Sequence, residues 1–230
     1  MNVRDVYYNY SNISRIELSK KFILDYISKN PNNNYGLSVF AGEYIRILPF
    51  TKDYSIFETF LLGVDENNVT KFGSKYKNAV KNSLFAFDRN DEKGFVILLT
   101  DVSDDINDFK IEKNNNISFF IVGVGSETGG YIPVGRDFVG NIRYKVYNGK
   151  RVLSSININS INKLSNILES ENIILNDFKD FGDIISLIND KFGITFDNVS
   201  LDDKFDNTRI ILILSLLLFV FSIFYLGRKK

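Results

Sequence analysis

Three short runs of β-forming residues constrain the fold most: residues 36–40, 95–99 and 117–124. The last two show no alternation of apolar and polar residues, as expected of a strand covered on both faces. Around them, apolar residues recur at helical spacing. Ile13, Ile16, Phe22, Ile23, Tyr26 and Ile27 form one set, and Tyr76, Val80, Leu84 and Phe87 a second. Ile161, Leu164 and Leu168, then Ile184, Ile185 and Ile188, follow later. Strands alternating with helices predict an α/β fold with a doubly wound, mostly parallel sheet and right-handed crossovers. Residues 43–50 are expected to hairpin back on the Gly36 strand, and residues 142–155 to form a second hairpin turning at Asn148-Gly149. Asparagine-rich stretches such as Asn32-Asn33-Asn34 and Asn114-Asn115-Asn116 flank these elements and read as loops.

The C-terminus sets a second constraint. Residues 210–226 are interrupted by polar groups only at Ser215, Ser222 and Tyr225, and Gly227 is followed by Arg228, Lys229 and Lys230. At about 1.5 Å per helical residue such a run nearly crosses a hydrocarbon core of roughly 30 Å. A transmembrane helix is expected there, behind one domain over residues 1–200 and a juxtamembrane linker over 201–209. The linker is mixed in charge and residues 227–230 are basic, so the tail is expected in the cytoplasm and the domain outside it, facing the periplasm of a bacterium.

Composition narrows the chemistry. Twenty-eight basic residues balance 28 acidic ones without visible segregation, which argues against nucleic acid as a partner. The chain has no cysteine and no histidine, which removes disulfides, thiol chemistry, the histidine-based nucleophile systems and nearly every zinc site. Ser-Lys, carboxylate and oxygen-ligand metal chemistry remain open.

In an open α/β sheet ligands gather at the carboxyl ends of the strands. Thr100-Asp101-Val102-Ser103-Asp104-Asp105 follows the second buried run, so the Asp101 carboxylate could hold a hard cation, or simply bond nearby backbone while Asp104 and Asp105 favour the next helix start. Gly73-Ser74 precedes a helix expected from Lys75; Ser74 is either its N-cap or a second hydroxyl ligand. The glycine-rich stretch Gly123-Val124-Gly125-Ser126-Glu127-Thr128-Gly129-Gly130 matches neither a P-loop nor a dinucleotide fingerprint and reads as a flexible loop.

Taken in order, these segments resemble a von Willebrand factor A domain of the membrane-anchored aerotolerance (Bat) type. The resemblance rests on Arg15-Ile16-Glu17, Gly36-Leu37-Ser38-Val39-Phe40-Ala41-Gly42, Leu48-Pro49-Phe50-Thr51-Lys52-Asp53, Gly73-Ser74, Leu98-Leu99-Thr100-Asp101, Val122-Gly123-Val124-Gly125 with Ile132-Pro133, and Gly149-Lys150. It implies a metal-ion-dependent adhesion site in which Mg²⁺ is held by a D-x-S-x-S loop, a threonine after a glycine, and an aspartate after a strand. The last two map to Ser74 and Asp101, with serine in place of threonine and Val102 where a glycine often follows. The D-x-S-x-S loop and the central strand carrying it would fall ahead of Met1. Met1 is then expected to be the internal methionine that commonly ends that motif, with two further spans upstream. Without that strand its neighbours would expose unpaired backbone edges, at about 1 to 3 kcal/mol for each buried group left unsatisfied.

The function this implies is a membrane-anchored protein-interaction domain of a bacterial envelope complex linked to stress or aerotolerance. Its partners would be other membrane or periplasmic proteins, cation-assisted when the first loop is present. A structural subunit with a degenerate, metal-free site is the alternative. An enzyme is not expected.

Overall fold

In the computed structural model, the described residues are 1–192 except 72, 88–92, 103–105, 107–108 and 112–115. The expected linker 201–209, transmembrane helix 210–226 and basic tail lie outside them, as do Ser103, Asp104 and Asp105. Among the described residues no helix is long and apolar enough to cross a membrane. Residues Met1–Ile188 form one compact unit, and Asn189–Lys230 a second of which only the first four residues are described.

The chain opens with β1 (Val6–Tyr8) and β2 (Ser11–Ile13), then α1 (Arg15–Lys29), β3 (Tyr35–Phe40), β4 (Tyr44–Thr51), α2 (Tyr54–Leu62) and α3 (Tyr76–Leu84). Next come β5 (Gly94–Thr100) and β6 (Ile117–Val124). A run of short strands follows: β7 (Gly130–Tyr131), β8 (Pro133–Arg136), β9 (Ile142–Tyr144), β10 (Val146–Tyr147), β11 (Lys150–Arg151) and β12 (Leu153–Ser154). The chain then forms α4 (Ile158–Leu168), β13 (Glu171–Leu175), β14 (Asp177–Phe178) and α5 (Gly182–Phe192).

The centre is a parallel ladder in the order β13-β6-β5. Helices cover both of its faces. On one, Leu98 and Ile121 sit opposite each other and pack with Ile161 and Leu164 of α4 and Tyr76 of α3. On the other, Tyr26 of α1 meets Phe95 edge-to-face at 6.2 Å, and Phe22 meets Phe181 in the same way at 5.5 Å. Burying a side chain of this size is worth about 1.5–3 kcal/mol, and Phe22, Phe120, Ile121, Ile161 and Leu164 are all fully buried. The expected α/β architecture with a parallel sheet is therefore present.

α1 starts where its capping box says it should. The Ser14 hydroxyl accepts from the Glu17 N–H, and the Glu17 carboxylate accepts from the Ser14 N–H at 2.7 Å. Its buried stripe is Arg15, Leu18, Ser19, Phe22, Tyr26 and Ile27; Ile16 and Ile23, expected on that face, are only half-buried.

Burial differs between the two apolar central strands. β6, flanked on both sides, is buried from Phe120 through Val124. Among the described residues β5 has a strand partner on one side only, and of its run 95–99 only Leu98 is buried. The expected β3–β4 hairpin forms, but as its own two-stranded ladder, separate from the central one among the described residues. The second expected hairpin is more elaborate. β10 and β11 do turn at Asn148-Gly149, both at positive φ (49° and 73°), the conformation a two-residue hairpin favours. However, β9 pairs with β8 and β12 with β7. The three limbs meet in a ring of backbone bonds: Ile132 N–H to Val152 O, Val152 N–H to Lys145 O, and Lys145 N–H to Ile132 O. Two hairpin lobes leave this junction, one on each side of Lys145.

Candidate functional site

The carboxyl end of the parallel ladder gathers a buried charged node. Arg15, the first residue of α1, has no exposed surface. Its guanidinium grips Asp5 in a two-pronged pair, Nε to Oδ1 at 2.8 Å and Nη2 to Oδ2 at 2.6 Å. Its Nη1 donates to Asp101 Oδ2 and to Ser154 Oγ, each at 3.2 Å, and Nη2 donates to the Ser154 carbonyl at 2.8 Å. One side chain thus joins the segment before β1, the loop after β5 and the end of β12. Such fork geometry is specific to arginine.

The glycine-rich loop closes the node. The Ser126 N–H and hydroxyl both donate to Asp5 Oδ2 at 3.0 Å, and the Gly129 N–H donates back to Ser126 Oγ at 3.0 Å. Gly125 stands at φ +148°, and a Cβ there would lie 2.9 Å from Arg15 Nε, so a side chain is excluded. The loop expected to be flexible is instead pinned by hydrogen bonds, and the N–H and hydroxyl of its Ser126 hold an anion. That anion is the chain's own Asp5 carboxylate.

Asp101, read from the sequence as a cation ligand, faces two cations of the protein itself. Its Oδ2 accepts from Arg15 and from the Met1 ammonium at 2.9 Å, while Ile16 N–H donates to the Met1 carbonyl at 3.0 Å. Partial burial pushes the Asp101 carboxyl up, but the Met1 ammonium and Arg15 together outweigh that and hold it below its ordinary value. Arg15 responds reciprocally: burial draws it down, and Asp5 and Asp101 lift it above its ordinary value. It stays charged at any pH the fold survives.

Ser74 sits differently from its expected place. The N-cap of α3 is Lys75, with no side-chain cap bond, and Ser74 is exposed in the turn opened by Gly73 at φ +98°. The turn is held by Lys75 N–H on the Ala41 carbonyl at 3.0 Å. The Tyr76 and Thr100 hydroxyls lie 3.5 Å apart, so the Ser74 turn and the Asp101 loop approach the same sheet end, yet Ser74 and Asp101 share no hydrogen bond.

Mg²⁺ favours about six oxygens in near-octahedral order. The residues present offer one exposed hydroxyl and one carboxylate already compensated by two cations. Among the described residues no three of His, Cys, Asp and Glu cluster as a metal site. Among the described residues, Ser74 and Asp101 by themselves do not complete such a shell.

Arg15 carries a local signal of its burial: it falls in phase with Leu18, Phe22 and Tyr26 on the stripe that α1 buries. A charge in register with a buried face needs a partner, but nothing local identifies Asp5 or Ser154 as that partner.

A strand-end site on a doubly wound sheet, with one β-arm inserted after the second central strand, defines the class. The family model described as von Willebrand factor type A domain matches residues 1–103. Two solved structures share the fold. One is the conserved hypothetical protein BatB from Bacteroides thetaiotaomicron, at 21% identity and a TM-score of 0.69, covering 85% of this chain and 94% of that one. The other is an aerotolerance-related membrane protein from Bacteroides fragilis carrying multiple mutations to serines, at 19% identity and a TM-score of 0.66, covering 84% and 94%. No curated protein matches the chain significantly. Residues 1–103 therefore match a von Willebrand factor type A domain, and the chain shares the fold of these two structures.

Proposed function

We propose that this chain is a membrane-anchored interaction domain that assembles with other envelope proteins, binding rather than turning over its partners. The observation that carries the reading is a set of exposed apolar side chains on and beside α2. Phe50 on β4 and Tyr54, Ile56, Phe60 and Leu62 of α2 are all exposed. Grouped apolar surface of this kind on a folded domain marks a contact with another macromolecule. Residues 210–226 supply the anchor, with the domain on the periplasmic side of a bacterial inner membrane and residues 227–230 in the cytoplasm. The fold shared with an aerotolerance-related membrane protein supports a role in envelope stress.

The node supports binding over catalysis. Ser126 Oγ, one of the hydroxyls a nucleophile reading would need, is committed to Asp5 and Gly129. The test is native electrophoresis of gently solubilised membranes holding the full chain. A complex larger than the chain alone should form, and Phe60→Lys with Leu62→Lys should release the chain from it. A chain that migrates alone before and after the change sinks the reading.

One observation favours a second reading, a structural subunit with a metal-free site: the guanidinium of Arg15 already donates to Asp101. Titrating the full chain with Mg²⁺ separates the two. A rise in melting temperature abolished by Asp101→Ala supports cation assistance, and an unresponsive chain supports the structural reading.

A further inference from the structure

The two-lobed arm of residues 130–154 breaks two rules at once. It carries five basic residues, Arg136, Arg143, Lys145, Lys150 and Arg151, against one acid, Asp137, in a chain whose overall formal charge is zero. The segment between β6 and α4 is thus locally basic in a chain whose charges balance as a whole. The arm also ends in apolar side chains. Phe138 is 105% exposed and Val139 81%, side by side at the tip of the first lobe. Tyr147, 73% exposed, stands beside the turn of the second.

The first tip is a built turn. The Asp137 N–H donates to the Asn141 carbonyl at 2.9 Å, and its Oδ1 accepts from the Val139 and Asn141 N–H groups at 2.9 and 2.8 Å. Arg136 Nη1 donates to the Gly140 carbonyl at 2.8 Å. Asp137, the acid, is spent holding the turn, and the turn holds Phe138 and Val139 outward. Behind it Arg151 lies over the rings of Tyr131 and Tyr144, at 5.7 and 5.2 Å, which stiffens the base of the arm.

We propose that this arm docks on an anionic lipid surface, with Phe138 and Val139 entering the headgroup boundary and the basic residues behind them meeting the lipid phosphates. A tip only two residues wide is too narrow for the flat, closely packed core of a stable protein interface. A narrow apolar point backed by a basic collar suits a bilayer, where each Lys or Arg near an anionic surface adds attraction that fades within a Debye length. The proposal goes beyond the terminal anchor, because a tethered domain could hold its arm in water or against the bilayer.

The absence of cysteine supplies the test. In the full chain, Val139→Cys carries an environment-sensitive fluorophore, and Lys77→Cys on the exposed side of α3 serves as the control. Both are reconstituted in vesicles of phosphatidylcholine alone and in vesicles containing phosphatidylglycerol, each doped with spin-labelled lipid. The label at 139 should be quenched about threefold more strongly on anionic vesicles than on neutral ones, falling with added salt. Exchanging the five basic residues for glutamine, or Phe138 for serine, should remove the difference while circular dichroism stays unchanged. A label at 139 quenched no more than the control on anionic vesicles overturns the proposal and turns the same surface toward an acidic protein. Vesicle flotation reads the anchor separately, so a chain that floats with its arm in water refutes the arm and leaves the anchor standing.

Discussion

The node around Arg15 and the arm of residues 130–154 depart from ordinary burial in opposite directions. The node places a guanidinium and a carboxylate almost wholly out of water, at 0% and 2% side-chain exposure. The arm sends apolar side chains out among charges. Yet Ser154 belongs to both: β12 closes the arm against β7, and its hydroxyl and carbonyl accept from Arg15. The difference teaches that the node is the foundation and the arm its payload. Charges at the base are paired and fix the position, whereas the Phe138 and Val139 side chains at the tip stand exposed among the described residues and can meet something else.

The largest way to break the comparison is to remove one partner of the buried pair. Asp5→Ala should destabilise the chain by about 3–5 kcal/mol, because it strands the Arg15 charge. Arg15→Met combined with Asp5→Leu should cost far less than Asp5→Ala alone. Denaturant unfolding followed by tyrosine fluorescence measures both, and equal losses would show that the pair is not coupled.

A smaller effect is expected where node meets arm. Gly129 stands at φ +69°, and a Cβ there would approach the Ser154 carbonyl oxygen to 2.6 Å. Gly129→Ala should therefore cost about 1–3 kcal/mol and loosen the arm, read as faster amide exchange at Ile132 and Val152. Unchanged exchange would mean that the arm does not depend on this joint.

The capping box of α1 comes next. Ser14→Ala should cost about 1 kcal/mol. The Ser14 N–H is the main reason the Glu17 carboxyl lies below its ordinary 4.5; burial opposes it, and the Ser14 hydroxyl and Arg4 add to it. A carboxyl lowered by folding contributes stability above its unfolded value, lost as pH falls through the folded value. Comparing Glu17→Gln with the parent chain should therefore show a stability gap at neutral pH that closes below pH 4.5. A gap independent of pH would show that charge plays no part in the cap.

The smallest effect sharpens the contrast from the other side. Phe138→Ser should leave stability within about 0.5 kcal/mol of the parent, since an exposed tip side chain leaves no cavity behind. A clear loss would mean that the tip packs against the domain and is not a payload at all.

Periodicity carried much of the architecture. The runs around β5 and β6 and the stripes of α3, α4 and α5 are local patterns, so they can be read without knowing what they pack against. β13 was missed because Asn172-Ile173-Ile174-Leu175 is short and opens on Glu171; only pairing with β6 makes it a strand. β1 was missed for the same reason, its three residues being held between β2 and β14. For the site, Asp101 and the glycine-rich loop were legible by their position after strands. That an acid 121 residues before Ser126 fills that loop was not legible.

The sequence by itself determined the alternating α/β order, the capping box, the turn at Asn148-Gly149, and the exclusion of histidine and cysteine chemistry. Each is a property of residues within a few positions of one another. Only the tertiary structure decided that Arg15 unites Asp5, Asp101 and Ser154, and that the glycine-rich loop is closed from within. These are contacts across long sequence separations, formed when burial forces every charge to find a partner wherever the fold has placed one.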